Sequence, residues 1–458
     1  MVAAGWQLVE KGRLFIGFIL QGFGKVVYLR MKTTITTCSL VLMISLGIRA
    51  QQTIDSLVTA GFNEAKFSGT VLVAKAGRII LLKGYGYADA DTRQLNDAGT
   101  VYNIASLTKS FTGALILKLQ EAGKLSVQDK LVQYFPGFPN ATRITIHHLL
   151  SHTSGIPDYV RDPVFRNIDQ TQPVTLDAMM AWFNNKPLEF EPGTKFRYSN
   201  SGYTMLGAII EKVTGMHYGK ALEKYILTPL GMHHTSYGPP TDEKAATGYS
   251  MYYRNFKRKA AVVHPSVSYS TGAIYSTVED LYKWQQQPVH IEGGPYNYGW
   301  FTDTLYGRQR LSHDGNIPGY KSNINRFPQD DICVIALSNS NNSEVGAIVR
   351  NMVNVLYHQP FSGSFADQPV IKLPDSVKKE YTGVYKYGEA DSATIRVHLL
   401  GHELYVAIPG QDSMHIEPVN RNVFKSGRCR IEFMRNNQGG VQNIFIFSNG
   451  AFMAAGKL

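Results

Sequence analysis

The chain has 458 residues, 44% of them hydrophobic and 18% charged, which suits a globular protein with one large and one small domain. Its net charge is +11, but six basic residues and one acidic residue lie in the first 50, leaving 40 basic against 34 acidic side chains. That mild excess, with no basic run longer than 254–259, argues against a nucleic-acid partner.

Residues 1–50 read as an N-terminal extension and a signal peptide. Met31-Lys32 gives a positive start, Leu40 to Ile48 an apolar run, and Ala50 a small residue before a cut. Met31 is therefore read as the true start. Lys25, Arg30 and Lys32 interrupt the apolar stretches, so a membrane span is not expected. Membrane contact is expected only through an uncleaved signal, and the protein is placed outside the cytoplasm, secreted or periplasmic. Of three cysteines, Cys38 falls in the signal, and Cys333 with Cys429 reads as two buried thiols. No cluster has metal-ligand spacing, and no metal or cofactor is expected.

The next elements alternate in kind. A helix is expected over 52–66, then a hairpin over 67–89 turning at Lys75-Ala76-Gly77-Arg78. A helix follows from Ser106 to about Gly123, with Phe111, Ala114, Leu115, Leu117 and Leu119 as its apolar side. Short helices are predicted at 130–135 and 145–150, the second capped by Thr145. His152 lies in a polar turn, 151–156, and reads as structural. Helices follow at 175–185, 203–213 and 217–227, then a loop-rich stretch over 236–270 and a helix over 277–286. Strands are predicted at 298–302, 311–315, 321–326 and 332–339, and a helix at 344–357. This order defines an α+β domain over 51–358, with helices and a helical subdomain packed on an antiparallel sheet. A linker covers 359–375. Residues 376–458 hold seven strand-length pieces (382–387, 394–400, 403–408, 415–418, 430–435, 441–448 and 451–455), a small β barrel or sandwich.

Three motifs carry chemistry. Ser106 and Lys109 stand three apart at the start of a helix, so the amine lies one turn from the hydroxyl. A serine needs such a base to become a nucleophile. The tetrad is common by chance and gains weight only from its company. Tyr198 and Asn200 form a Tyr-x-Asn pair: a phenol that relays a proton and an amide that binds a substrate amide. His313-Asp314-Gly315 closes a strand, where glycine admits a substrate backbone. The backbone N–H groups of Ser106 and Asn316 would then form an oxyanion hole. Each residue also has a bland reading: Tyr198 as core aromatic, Asn200 as helix cap, Gly315 as turn.

Together, Ser106-Leu107-Thr108-Lys109, Tyr198-Ser199-Asn200 and His313-Asp314-Gly315 resemble the motifs of the penicillin-recognising serine hydrolases. Their separations, 92 and then 115 residues, resemble the class C β-lactamase branch, which includes D-peptidases and esterases. Leu149–Ile156, Phe196–Gly202 and His313–Tyr320 add to the likeness. Tyr381-Thr382-Gly383-Val384-Tyr385 is similar to the lipocalin-like β domain that some members append. The resemblance implies acyl transfer through an ester on Ser106, with Lys109 and Tyr198 sharing the base role. It implies that Asn200, His313 and Gly315 bind a small-molecule or peptide substrate, without cofactor. The β domain would cap the site or support a homo-oligomer. The branch's lysine is replaced by His313, which favours an esterase, amidase or D-peptidase over a potent β-lactamase. A true β-lactamase or penicillin-binding D-peptidase, and an acylated sensor that does not turn over, are the alternatives.

Overall fold

The computed structural model describes residues 6–10, 13–17, 49–241, 245–253, 256–361, 368–387, 394–411, 413–427, 429–436, 438–448 and 451–458. The chain forms two compact units, 1–50 and 51–458. In the first, Trp6–Glu10 and Arg13–Gly17 form an antiparallel ribbon. Of the expected signal, which ends at Ala50, residues 31–48 lie outside the described residues. Among the described residues no helix is long and apolar enough to cross a membrane.

The second unit is built on a six-stranded sheet. Its strands are β1 (Gly69–Lys75), β2 (Arg78–Tyr85), β3 (Phe301–Leu305), β4 (Arg308–Ile317), β5 (Tyr320–Phe327) and β6 (Ile332–Ser338). The spatial order is β3-β4-β5-β6-β1-β2, antiparallel throughout. The first hairpin thus pairs with the last strand, Val71 standing opposite Ala336. Every residue of β6, and all of β1 but Lys75, is buried, which is why both read as apolar runs without alternation. Ala76 and Gly77, both at positive φ (51° and 70°), make the tight turn between β1 and β2.

The helices between β2 and β3 wrap around α1 (Thr108–Glu121). They include α2 (Ile146–Leu150), α3 (Asn200–Thr214), α4 (Pro265–Gly272) and α5 (Val278–Gln285). The predicted single apolar side of α1 is a correction: Thr108, Lys109, Ser110, Thr112 and Gly113 are buried too, because α3 and α4 pack on it. Gly113 has no room for a side chain, since a Cβ there would lie 2.1 Å from the Tyr298 carbonyl oxygen.

Other expectations shift for identifiable reasons. The helix expected at 203–213 begins at Asn200, because Asp158, 42 residues upstream, accepts the Asn200 N–H at 3.1 Å. The segment 130–135 is only a 3₁₀ turn, Leu131–Gln133. The strand expected at 298–302 starts at Phe301, since Tyr298 and Gly299 take positive φ in a turn. The stretch 236–270 holds a hairpin, Tyr249–Tyr252 with Lys257–Lys259, and ends in α4. Thr145 and Thr277 cap their helices as expected, accepting from His148 N–H and Asp280 N–H. Cys333 is buried and Cys429 only partly so, and neither is in a disulfide, so the expected pair of buried thiols is realised at Cys333 alone.

After helix α6 (Val345–Leu356) comes a short helix, α7 (Asp375–Tyr381), which the sequence reading missed. Eight strands then close a barrel, so the barrel and not the sandwich is realised. The unpredicted strand is Val423–Ser426. The interior is a packed core of Ile395, Val397, Leu404, Val406, Ile416, Phe424, Ile431, Phe433 and Ile444, plugged by Tyr381 and Tyr385. The barrel touches the sheet-and-helix part through Arg430 and Glu344, 3.2 Å apart, and through the Tyr253 and Phe447 rings, 5.4 Å apart.

Candidate active site

Ser106 sits on a bent turn. Ala105 adopts φ 49°, and its N–H donates to Asn103 Oδ1 at 2.7 Å. A positive φ in a residue with a side chain is a costly conformation, held here by surrounding packing. The 3₁₀ turn Ala105–Leu107 runs directly into α1. From Val101 to Gly113 only Ser106 escapes burial. The turn thus projects one hydroxyl out of an otherwise closed segment.

Lys109 is fully buried. Its Nζ hydrogen-bonds Ser106 Oγ at 3.2 Å and donates to the Thr271 carbonyl at 2.8 Å. The α4 end therefore aims the amine. Burial pulls the Lys109 pKa down to about 7, against the opposing pull of the Asp158 and Asp314 charges. An amine poised near 7 accepts a serine proton in neutral solution.

Burial pushes the Tyr198 hydroxyl pKa well up, against a smaller lowering by the Ser106 side chain beside it. It is therefore a phenol, a proton donor. Lys109 Nζ lies 5.1 Å from its ring centre. The ring is held between His152 at 4.2 Å and Phe301, which stacks at 6.3 Å. His152 is buried at φ 57°, and its Nδ1 accepts the Ser199 N–H at 3.2 Å. This fits the structural reading of His152, as a wedge behind Tyr198.

Asn200 opens α3 close by. Its Nδ2 donates to Asp158 at 3.1 Å and 3.3 Å. The helix-cap reading is thus corrected: Asn200 is the first helical residue, and the cap is Asp158.

His313 lies buried on β4. Its Nδ1 is 2.6 Å from the Asp314 carbonyl and its Nε2 is 3.0 Å from the Tyr296 hydroxyl. A carbonyl only accepts, so Nδ1 carries the proton and Nε2 accepts from Tyr296. Burial, then repulsion by Lys109, lowers the His313 pKa to about 3. Both nitrogens are engaged within the protein, so His313 supports the cleft wall and offers a ligand neither a charge nor a free N–H.

Gly315 serves a different close approach from the one anticipated. A Cβ there would lie 2.4 Å from the Ile104 carbonyl oxygen and 3.0 Å from the Ala105 Cβ. What glycine admits is the turn that carries Ser106. Ser322 reinforces this contact by donating to the Ile104 carbonyl at 2.7 Å. Exposed Asn316 follows on the same strand, paired with Lys321.

Sequence reasoning did not find Asp158, Tyr296 or the strained Ala105. Asp158 directly follows the Ser154-Gly155-Ile156-Pro157 stretch, a position without periodicity to mark it. Tyr296 is one of 26 tyrosines, and only its contact with His313 distinguishes it.

A serine bonded to a buried lysine with a buried phenol beside it, in a fold of helices packed on an antiparallel sheet, defines a lysine-activated serine hydrolase. The chain belongs to the Beta-lactamase family, whose model matches residues 54–359. It is 28% identical over 399 residues to penicillin-binding protein 4* of Bacillus subtilis (strain 168), covering 78% of this chain and 88% of that protein. The fold matches the octameric penicillin-binding protein homologue from Pyrococcus abyssi (TM-score 0.60, 24% identity), over 88% of this chain and 99% of that one. It also matches the D-amino acid amidase from Ochrobactrum anthropi SV3 (TM-score 0.58, 21% identity), over 68% of this chain and 99% of that one. The protein is a serine hydrolase of this family.

Proposed function

We propose that the protein is an esterase or amidase, or a D-peptidase, with little β-lactamase activity. Ser106 Oγ attacks the substrate carbonyl and its proton passes to Lys109 Nζ. The oxyanion is held by the N–H groups of Ser106 and Asn316. Tyr198 then delivers a proton to the leaving group as its bond to the acyl carbon breaks, and Lys109 restores the tyrosine proton. Water then attacks the acyl carbon, its proton passes to the same pair, and that proton returns to Ser106 Oγ as the ester bond breaks and the acid leaves. Asn200 holds the acyl group.

The carrying observation is Ser106 Oγ at 3.2 Å from an amine whose pKa is near 7. The neutral, engaged His313 supports the ranking of substrates. A β-lactam brings a carboxylate beside its reacting amide, and this cleft has no fixed cation at the third motif to receive it.

We also assign the hydrolase domain to 51–358, a linker to 359–375 and a β domain to 376–458. A signal peptide ending near Ala50 would carry the protein out of the cytoplasm, to the periplasm or beyond. The octameric relative makes a homo-oligomer a reading to test by light scattering of the purified chain.

The test of function is intact-mass detection of an adduct on Ser106, with a panel of short-chain esters, D-amino-acid amides and a chromogenic cephalosporin. Ester or amide turnover is expected. Rapid cephalosporin turnover with no ester or amide cleavage overturns the ranking, and an adduct that never turns over makes the protein a sensor.

A further inference from the structure

The groups of the site are carried by different kinds of backbone. Ser106 stands on a 3₁₀ turn, Lys109 on α1 and His313 on β4. Tyr198 has no such support: residues 195–199 belong to no helix or strand, and α3 begins only at Asn200. Its position comes from contacts outside its own segment, and His152 supplies three of them. The His152 carbonyl accepts the Arg197 N–H at 2.9 Å. The ring Nδ1 accepts the Ser199 N–H at 3.2 Å. The amides before and after Tyr198 are thus bonded to one residue, and its imidazole lies against the Tyr198 ring, centres 4.2 Å apart.

Keeping a histidine there is costly. His152 holds φ 57°, an unfavourable conformation for a residue with a side chain. Since Nδ1 accepts from an amide, Nε2 carries the ring proton, and that buried N–H has no hydrogen-bond partner among the described residues. Burial, then repulsion by Lys109 and His313, holds the His152 pKa well below its ordinary value, so the ring is neutral and Nδ1 stays free to accept. A phenylalanine would fill the same space without an orphaned N–H. What the imidazole adds is an acceptor for the Ser199 amide, at the root of Tyr198.

We propose that His152 is a positioning residue for the Tyr198 hydroxyl: by clamping the backbone on both sides of Tyr198, it holds the phenol where the leaving group takes its proton. This rests on the acyl-enzyme mechanism and adds a residue to it. His152, buried behind Tyr198, exchanges no proton itself. The consequence follows from the bond that breaks. An alcohol or amine departs with the bonding electron pair and the Tyr198 proton, which Lys109 then replaces. p-Nitrophenolate and fluoride leave without a proton. Loss of the clamp slows the first class and largely spares the second.

The test uses the purified full chain, with active enzyme counted by a fluorophosphonate that labels Ser106. kcat/KM, which covers the steps through acylation, is compared for ethyl butyrate, D-alaninamide and p-nitrophenyl butyrate. His152→Phe keeps a ring and loses the acceptor. His152→Asn keeps an acceptor two bonds from Cβ, His152→Gly keeps neither, and both tolerate the positive φ. We expect His152→Phe and His152→Gly to lower kcat/KM for ethyl butyrate and the amide by about 100-fold, and to slow p-nitrophenyl butyrate and labelling only several-fold. His152→Asn should recover about tenfold of that loss. Tyr198→Phe should show the same split, and adding His152→Phe to it should cost little more, because both remove one function.

Equal losses for all three substrates make His152 a packing residue and overturn the proposal, as does full additivity of the His152 and Tyr198 substitutions. Should His152→Phe fail to fold, the Asn and Gly variants carry the comparison, and equal substrate ratios in that pair overturn it too. Wild-type enzyme that is labelled yet cleaves only p-nitrophenyl butyrate removes this inference alone. No labelling and no turnover of any substrate removes the hydrolase reading with it.

Discussion

The catalytic region and the barrel bury different things. Around Ser106 the interior holds a lysine, two histidines and several hydroxyls, among them Lys109, His152, His313, Ser110 and Thr112. The barrel interior holds Val, Ile, Leu and Phe, and its two buried tyrosines are satisfied by neighbouring backbone: Tyr385 donates to the Tyr381 carbonyl at 2.7 Å and Tyr381 to that of Arg421. Burying ionisable groups costs stability unless they are partnered. A fold keeps such groups where they do chemistry, and the catalytic region keeps them within reach of one partly exposed serine, Ser106. Among the described residues the barrel core is apolar apart from those tyrosines, and on the outside Arg430 and Phe447 meet the hydrolase part.

This contrast can be broken or sharpened by mutation, ordered by expected effect on hydrolysis. Ser106→Ala should abolish fluorophosphonate labelling and lower turnover by roughly 10³ or more, as loss of a nucleophile does in other serine hydrolases. Labelling that survives, located by peptide mass mapping, would move the chemistry elsewhere.

Gly315→Ala drives a methyl group against the Ile104 carbonyl, 2.4 Å away. It should displace the Ser106 turn and reduce kcat by about 100-fold, the scale on which a misplacement of about 1 Å acts. Steady-state kinetics at saturating substrate checks this, and unchanged kcat would show that the strand does not position the nucleophile.

The third expectation concerns pH. Lys109 loses its proton near 7 when folded and near its ordinary 10.5 when unfolded. The free-enzyme kcat/KM should therefore rise with pH and level off above about 7, falling about tenfold per unit below it. The sign for stability is the same: between about 7 and 10.5 the unfolded chain binds the extra proton, so stability rises with pH across that window. Lys109→Met should remove that slope from denaturant titrations, and a slope that persists would assign it to another group.

Phe424→Ala should leave the rate of Ser106 labelling nearly unchanged while destabilising the barrel by about 3–5 kcal/mol, the usual range for a buried phenylalanine. Chemical denaturation followed alongside labelling measures both. A large loss of labelling rate in folded protein would show that the barrel core and the catalytic site are coupled.

Much of this architecture was legible beforehand, and the reasons for the misses are physical. Short-range signals served well: the β1–β2 turn at Ala76-Gly77, the caps Thr145 and Thr277, and the strand pieces of the barrel all depend on neighbours a few residues away. The start of α3 was misplaced because its cap comes from Asp158. The apolar side drawn for α1 was too narrow because helices distant in sequence cover its other faces. Short α7 and strand Val423–Ser426 carried too little pattern to stand out.

For the chemistry, spacing alone brought Ser106 and Lys109 onto one face, since helical periodicity puts residues three apart together. Motif order and separation were enough to point to the family. Only the tertiary structure decided what each group is allowed to do. Desolvation by surrounding helices makes Lys109 a base near neutrality. Tyr296 and the Asp314 carbonyl engage both nitrogens of His313. A carboxylate 42 residues away turns the Asn200 amide. These are properties of surroundings, set by burial and by partners remote in the chain, and periodicity in a sequence carries no record of them.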